Sequence, residues 1–413
     1  MKKLRALWVG ALVICLTWVT VNVTQRILKS SPPKLNSGGV LSKERVAEAL
    51  RSSASVNSFP DELDLEVGRQ KKRVRIQYSF ENKLQKVMED LIHSYGPDYG
   101  AFVALDPRTG RVLSLVSYSR QGLQDNFALR ATFPSASVFK VVTAAAAIGE
   151  GKASPETVIP YNGRNHTLYR GQVMQSKITP WTRFITLKEA FAHSINTVFG
   201  KIGAFSVGPE ELRQYAGRFG FNRRIAADMP MQEGRAWIPN DIWGLAESAS
   251  GFTRDNTMSP LQGALIAASV ANQGIMMEPF LVQSMHGADG ALLYSAQPRV
   301  ASIAMDAETA AGIKELMKET VLHGTSRGSF RGFFKKGLSL LDVGGKTGSL
   351  TGTDPQGKYD WFVGYADSGP TRIAVAALTI SEKKWRVRSS YLARRAIESY
   401  FKENLNSRTV AAQ

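Results

Sequence analysis

Two residues near the start of an apolar segment have the spacing of an activated nucleophile. Ser137 and Lys140 are three residues apart, and the alanine-rich run that follows to Ile148 predicts a buried helix. A lysine one helical turn from a serine can take its proton only if burial or a second cation disfavours the ammonium form. Lys346 could supply that cation. The alternative is that Ser137 only caps the helix and Lys140 is a surface charge.

A second polar pair, Ser194 and Asn196, follows a helix-like stretch that ends at His193. A hydroxyl at this place can relay a proton to a leaving amine, while the amide holds the base and the substrate backbone. Ordinary polar packing at a helix end is the alternative interpretation of this pair.

The third motif is Lys346-Thr347-Gly348-Ser349, which precedes a strand-like run from Trp361 to Tyr365. On a strand edge the lysine would supply a positive field, and the hydroxyl of Thr347 could bind a carboxylate. Gly348 would let another backbone approach closely. A glycine turn within a hairpin is the alternative.

Each motif alone is weak, because Ser-x-x-Lys also occurs at Ser31 and at Ser381. Together and in this order, the three motifs resemble the signature of the penicillin-binding proteins and serine β-lactamases. The segment from Ser259 to Gln262 and the pair Gly324-Thr325 are also similar to that family. The resemblance extends over about residues 74 to 402.

This resemblance implies a membrane-anchored, class B-like peptidoglycan D,D-transpeptidase that needs no cofactor and no metal. Ser137 would attack the carbonyl of a terminal D-Ala-D-Ala peptide, and Lys140 would take its proton. Ser194, Asn196 and Lys346 would pass a proton to the departing D-alanine. An amine of a neighbouring peptidoglycan stem peptide would then resolve the acyl-enzyme.

The same resemblance assigns substrate-binding roles to the third motif. Thr347, Gly348 and Ser349 would bind the substrate, with Thr347 on its terminal carboxylate and Ser349 as a helper. The N–H groups of Ser137 and Ser349 would form an oxyanion hole. β-Lactams would inhibit by trapping Ser137, and a separate glycan polymerase is the implied partner.

Three other functions stay open within this resemblance. A class A β-lactamase carries Glu-x-x-x-Asn after the second motif; Glu233 lies in the right region, but position 237 is Trp. A D,D-carboxypeptidase or endopeptidase differs only in its acyl acceptor. A β-lactam sensor or an inactive scaffold of a wall-building complex is the non-enzymatic alternative.

Unrelated active sites are excluded by their missing parts. Gly324 to Gly328 matches a nucleophile elbow, but no histidine follows His323. A phosphate-binding loop ending at Thr347 would need a glycine where Leu340 stands. The five histidines show no metal-ligand spacing, so we predict no metal site.

The N-terminal segment predicts where this chemistry takes place. Three basic residues precede the apolar run from Ala6 to Val23, and no small-x-small cleavage site follows it, so we expect an uncleaved signal anchor. The basic end predicts a single-pass protein of the cytoplasmic membrane with its catalytic domain outside. The formal charge of +17 comes without a nucleic-acid recognition pattern and suits anionic lipid and wall carboxylates; solvated surface charge with no partner is the alternative. The single cysteine, Cys15, excludes an intrachain disulfide.

The predicted fold is α/β of the α+β type. Strand-like runs occur near both ends of the chain, which predicts one antiparallel sheet flanked by helices, with a mostly helical insert. The predicted organisation is a cytoplasmic tail, a transmembrane helix, a linker with one short helix near Lys43 to Arg51, and a transpeptidase domain, at 1–5, 6–23, 24–73 and 74–405 respectively.

Overall fold

The computed structural model describes residues 41–53, 59–67, 70–122, 125–335 and 338–411. The strands are β1 Glu62–Val67, β2 Gln70–Tyr78, β3 Tyr99–Leu105, β4 Val112–Ser119, β5 Phe133–Pro134, β6 Val158–Tyr161, β7 Arg183–Thr186, β8 Thr257–Met258, β9 Ile275–Met277, β10 Val282–Gly287, β11 Leu292–Ser295, β12 Val300–Ile303, β13 Asp342–Thr353, β14 Gln356–Asp367 and β15 Arg372–Ser381. The helices are α1 Lys43–Ser53, α2 Asn82–Tyr95, α3 Lys140–Gly149, α4 Arg170–Met174, α5 Leu187–Ala192, α6 Asn196–Lys201, α7 Pro209–Arg218, α8 Ile242–Ser250, α9 Pro260–Ala271, α10 Ala307–Leu322 and α11 Ser389–Ala411. A 3₁₀ turn, Ala136–Phe139, precedes α3, and a π-helical turn, Ile202–Val207, follows α6.

The central sheet has five antiparallel strands in the order β13-β14-β15-β3-β4. Two strands come from the early part of the chain and three from the late part, so the predicted antiparallel sheet is confirmed. Strands β14 and β15 are almost entirely buried because helices cover both faces of the sheet, and such strands have near-continuous apolar sequences. Strand β13 forms one edge of the sheet, and it carries the third motif.

Each face of the sheet packs against a different set of helices. Helix α9 lies on one face against β14 and β15, and all twelve of its residues are buried. Its N-terminus is capped by Ser259, whose Oγ accepts a hydrogen bond from the backbone N–H of Gln262 at 3.1 Å. Helix α11 packs on the opposite face, together with α2. The sheet is therefore the middle layer of three.

The part of the chain between β4 and β13 is mostly helical, as predicted, but it also contains short strands that the sequence analysis did not predict. Strands β10 and β11 join β1 and β2 in a four-stranded sheet, ordered β1-β2-β10-β11. The described part of the predicted linker therefore contains α1, β1 and the first residues of β2. Alternation of apolar and charged residues is present in β1, but six residues give too short a pattern to distinguish a strand from a linker.

Contacts group Leu41–Gln413 into one unit. Among the described residues no helix has both the length and the apolar character to cross a bilayer. The predicted anchor, Ala6 to Val23, lies outside the described residues.

Candidate active site

Ser137 lies in the 3₁₀ turn immediately before α3, rather than in the α-helix itself. The preceding residue, Ala136, has φ +48°, a left-handed conformation that is costly for a residue with a side chain. Gly251 packs so closely that a Cβ there would be 2.0 Å from the carbonyl oxygen of Ala136. On the other side, Trp361 Nε1 donates a hydrogen bond to the carbonyl of Pro134 at 2.9 Å. Packing on both sides therefore holds the strained turn that presents Ser137.

Lys140 is fully buried and contacts the nucleophile directly. Its Nζ lies 2.8 Å from Ser137 Oγ and 2.7 Å from Asn196 Oδ1, and it also donates to the carbonyl of Ser250. Burial, and then the nearby charge of Lys346, hold the pKa of Lys140 well below its usual range. A neutral amine can donate to Asn196 and Ser250 while its lone pair accepts the proton of Ser137. This is the arrangement that a general base needs.

Lys346 is the second buried amine of the site. Its Nζ donates to Ser194 Oγ at 3.0 Å and to the carbonyl of Thr347 at 2.8 Å. Burial lowers the pKa of Lys346 to about 7, so the amine can both give and take a proton near neutral pH. Ser194 lies between α5 and α6 and has φ +56°. This strained backbone conformation directs its hydroxyl towards Lys346.

Asn196 joins the two halves of the site. Its Oδ1 accepts from Lys140, and its Nδ2 donates to the carbonyl of His166 at 3.0 Å. Its own backbone N–H donates to the carbonyl of Asn165 at 2.9 Å. The buried amide is therefore fixed in one orientation by the 165–166 loop.

The third motif lines the cleft from the edge strand β13. Thr347 Oγ1 lies 2.5 Å from Thr325 Oγ1, so two hydroxyls are available side by side for a carboxylate. A Cβ at Gly348 would be 3.3 Å from the Cβ of Ala136 and from the carbonyl oxygen of Ser135. Glycine at this position therefore lets the strand lie directly beside the Ser137 turn.

These side chains surround a cleft of about 730 Å³. Six of the eight residues predicted from the sequence line it, and Lys140 and Lys346 lie buried beneath them; the six are Ser137, Ser194, Asn196, Thr347, Gly348 and Ser349. The fold thus brings all three motifs into one site, although the second motif and the third are about 150 residues apart.

Sequence reasoning did not identify several other residues that line the cleft. His166 does so, and its pKa is lowered first by burial and then by the charges of the two buried lysines. The far end of the cleft is lined by Asp360, Trp385 and Arg388. None of these residues belongs to a short motif, so no local pattern could have indicated them.

The residues of the excluded alternative sites have different surroundings from those of the three motifs. Ser326, of the apparent nucleophile elbow, is buried and donates to the carbonyl of Thr320 at 2.9 Å. Glu233 is exposed and is not among the residues that line the cleft. Across the described ranges, no group of three or more His, Cys, Asp or Glu side chains is arranged to hold a metal ion.

Several known proteins are similar to this chain in fold and in sequence. The model of the penicillin-binding protein transpeptidase domain matches residues 100–398. The peptidoglycan D,D-transpeptidase PbpA of Mycolicibacterium smegmatis is 28% identical over 375 residues, covering 81% of this chain and 73% of that protein. The crystal structure of PBPA from Mycobacterium tuberculosis superposes with a TM-score of 0.65 at 27% identity, covering 79% of this chain and 82% of that one.

A further structure of the M. tuberculosis protein is an imipenem acyl-enzyme complex, with a TM-score of 0.65, 26% identity and 81% of each chain covered. The family match spans well over half of the present chain, and the matched residues include all three motifs. The chain therefore belongs to the penicillin-binding protein transpeptidase family.

Proposed function

We propose that this protein is a serine D,D-transpeptidase that cross-links peptidoglycan stem peptides through an acyl-enzyme. The observation that carries the proposal is the 2.8 Å contact between Ser137 Oγ and the buried amine of Lys140, at one end of a cleft that also holds the Thr325–Thr347 hydroxyl pair. A nucleophile with its base and a carboxylate-binding pair suit a peptide that ends in a free carboxylate.

Acylation begins with proton transfer from Ser137 to Lys140 as Oγ attacks the carbonyl of the penultimate D-alanine. Negative charge that develops on the carbonyl oxygen would be stabilised by the N–H groups of Ser137 and Ser349, and each such donor contributes about 3 kcal/mol. Thr347 holds the terminal carboxylate, which fixes the register of the peptide along β13.

Release of D-alanine requires a proton on the departing nitrogen. Lys346 and Ser194 are in contact at 3.0 Å, and a lysine with a pKa of about 7 can pass a proton through the serine hydroxyl. The acceptor amine then attacks the ester carbonyl and gives one of its protons back through Ser194 to Lys346. The Ser137 Oγ–carbon bond breaks, and Oγ regains its proton from Lys140. β-Lactams imitate the donor peptide and acylate the same oxygen.

The test is covalent capture of labelled benzylpenicillin, followed by intact mass over hours. We expect one adduct on the wild-type protein and none on Ser137→Ala. Ser135→Ala is a matched control, because Ser135 Oγ is buried and has no hydrogen-bond partner among the described residues. Capture by Ser137→Ala would overturn the proposal, and rapid loss of the wild-type adduct would indicate a hydrolase instead.

The location of the protein is part of this proposal. The basic N-terminus and the apolar run Ala6 to Val23 support a single-pass anchor in the cytoplasmic membrane with the catalytic domain outside. Fusing a periplasmic reporter enzyme after residue 413 should therefore give an active reporter, and an inactive one would contradict the orientation.

A separate glycan polymerase is the proposed partner. The site described above transfers acyl groups, and the glycan strands that carry its peptide substrates must come from glycosyl transfer, which is a different reaction. We expect cross-linking of nascent strands to rise when a polymerase is supplied with lipid-linked precursor, compared with preformed strands.

A further inference from the structure

The cleft continues beyond the catalytic residues to an end that carries two cations stacked on one indole. Lys358 Nζ lies 4.4 Å from the centre of the Trp385 ring, and the guanidinium of Arg388 lies 3.6 Å from it. All three residues line the same cleft as Ser137. Such stacking holds long, otherwise mobile cationic side chains in defined positions.

The charges at this end do not cancel. Among the described residues that line the cleft, Asp360 is the one carboxylate. It is buried, it accepts the backbone N–H of Ser389 at 2.7 Å, and its Oδ1 lies 3.9 Å from Arg388. Within the described residues Lys358 takes part in no ion pair. One carboxylate that is already engaged therefore faces two cations, and the end of the cleft stays positive.

The positive end lies within reach of a peptide bound at the catalytic residues. Lys358 is directly opposite Thr351 in the β13–β14 register, four residues along the strand from Thr347. Four residues of extended strand span about 13 Å. Consider a donor peptide that lies along β13 with its terminal carboxylate at Thr347 and the rest of its chain towards Thr351. The residue before D-Ala-D-Ala would then lie about 7 Å from Thr347. A long side chain on that residue can cover the remaining distance.

We propose that Lys358, Trp385 and Arg388 form a subsite for a carboxylate at the end of that side chain. The proposal rests on the proposed function, because it assigns a donor subsite to the same cleft. The guanidinium would bind the carboxylate through its planar N–H groups, and the ammonium would add a second charge. Trp385 is a positioning residue that keeps both cations at the cleft wall.

The experiment compares two synthetic pentapeptides that end in D-Ala-D-Ala and differ only at the side chain of the third residue. In one peptide this side chain ends in a carboxylate, and in the other it ends in a carboxamide. The full-length protein in detergent is assayed for D-alanine release, and kcat/KM is measured for each peptide. We expect Arg388→Gln and Lys358→Gln each to lower kcat/KM for the carboxylate peptide about tenfold and to leave the carboxamide peptide unchanged.

Lys384→Gln is the matched control, because Lys384 is an exposed cation of the same loop that does not line the cleft. It should leave both peptides unchanged, which separates a subsite from general charge attraction. Equal losses for both peptides, or no loss for the carboxylate peptide, would overturn the subsite.

Acylation of Ser137 by penicillin is measured in parallel for every variant. If the adduct forms but the two peptides are not distinguished, the subsite fails and the proposed function stands. If neither the adduct nor D-alanine release is observed in the wild-type protein, both proposals are wrong.

Discussion

Replacing Asn196 with aspartate tests whether Lys140 acts as a neutral base. The substitution keeps the shape of the side chain and puts a negative charge where Oδ1 now lies, 2.7 Å from Lys140 Nζ. At an effective dielectric constant of about 20, the attraction over 2.7 Å is about 6 kcal/mol, or roughly four pKa units. Burying the new carboxylate opposes part of this attraction, so we expect the pKa of Lys140 to rise by about two units.

The assay is the second-order rate of acylation by a fluorescent penicillin between pH 5 and pH 10. The rate requires the neutral amine, so it should rise with pH through the pKa of Lys140. In Asn196→Asp the midpoint of this rise should move to higher pH by about two units, so at any pH below both midpoints the rate should fall about 100-fold. A midpoint that stays in place, or moves to lower pH, would refute the role assigned to Lys140.

Two controls separate charge from lost hydrogen bonds. Asn196→Ala removes the same acceptor from Lys140 without adding charge, so its midpoint should not rise. Asn222→Asp adds a carboxylate at another asparagine that bonds to a backbone carbonyl, that of Ala236 at 2.8 Å, but lies outside the cleft. Its midpoint should match that of the wild-type protein.

Two further substitutions test the buried amine and the close backbone contact. The difference between a pKa of 10.5 in the unfolded chain and about 7 at buried Lys346 corresponds to roughly 5 kcal/mol of instability, fully present below pH 7 and absent above pH 10.5. Lys346→Met should therefore raise Tm at pH 7, by an amount that shrinks towards pH 10, while acylation slows; an unchanged Tm at pH 7 would contradict this account. Gly251→Ala places a Cβ 2.0 Å from the carbonyl oxygen of Ala136 and should slow acylation at least tenfold. Gly290→Ala, at another positive φ with open space around it, should leave acylation unchanged, and equal rates in both variants would refute the packing argument.

The sequence was sufficient to predict those contacts of the site that join residues close together in the chain. Ser137 and Lys140 are one turn apart, so their contact follows from helix geometry once the segment is helical. Strands β14 and β15 were recognisable because their apolar runs are long. The central sheet and the residues of the three motifs could therefore be predicted without coordinates.

Long-range pairing accounts for what the sequence analysis missed. His166 enters the site because its carbonyl accepts from Asn196, 30 positions later in the chain. Trp385 reaches Lys358 only because β14 and β15 form a hairpin that brings the two together. The residues of neither contact are spaced at a helical or strand period, so the pattern of residue types along the chain could not predict these contacts.

One short segment places an aromatic ring beside each of the two buried amines. Phe199, in α6, lies 5.6 Å from Lys140 Nζ, and Phe191, in α5, lies 5.4 Å from Lys346 Nζ. The two aromatic rings are adjacent, 6.0 Å apart, and the strained residue Ser194 lies between the helices that carry them. An aromatic face attracts a cation, but it also excludes water, and burial is the first cause of the lowered pKa of both lysines. Because this segment also supplies the relay hydroxyl and the amide, a change in its packing should alter the pKa values and the geometry of the proton path together.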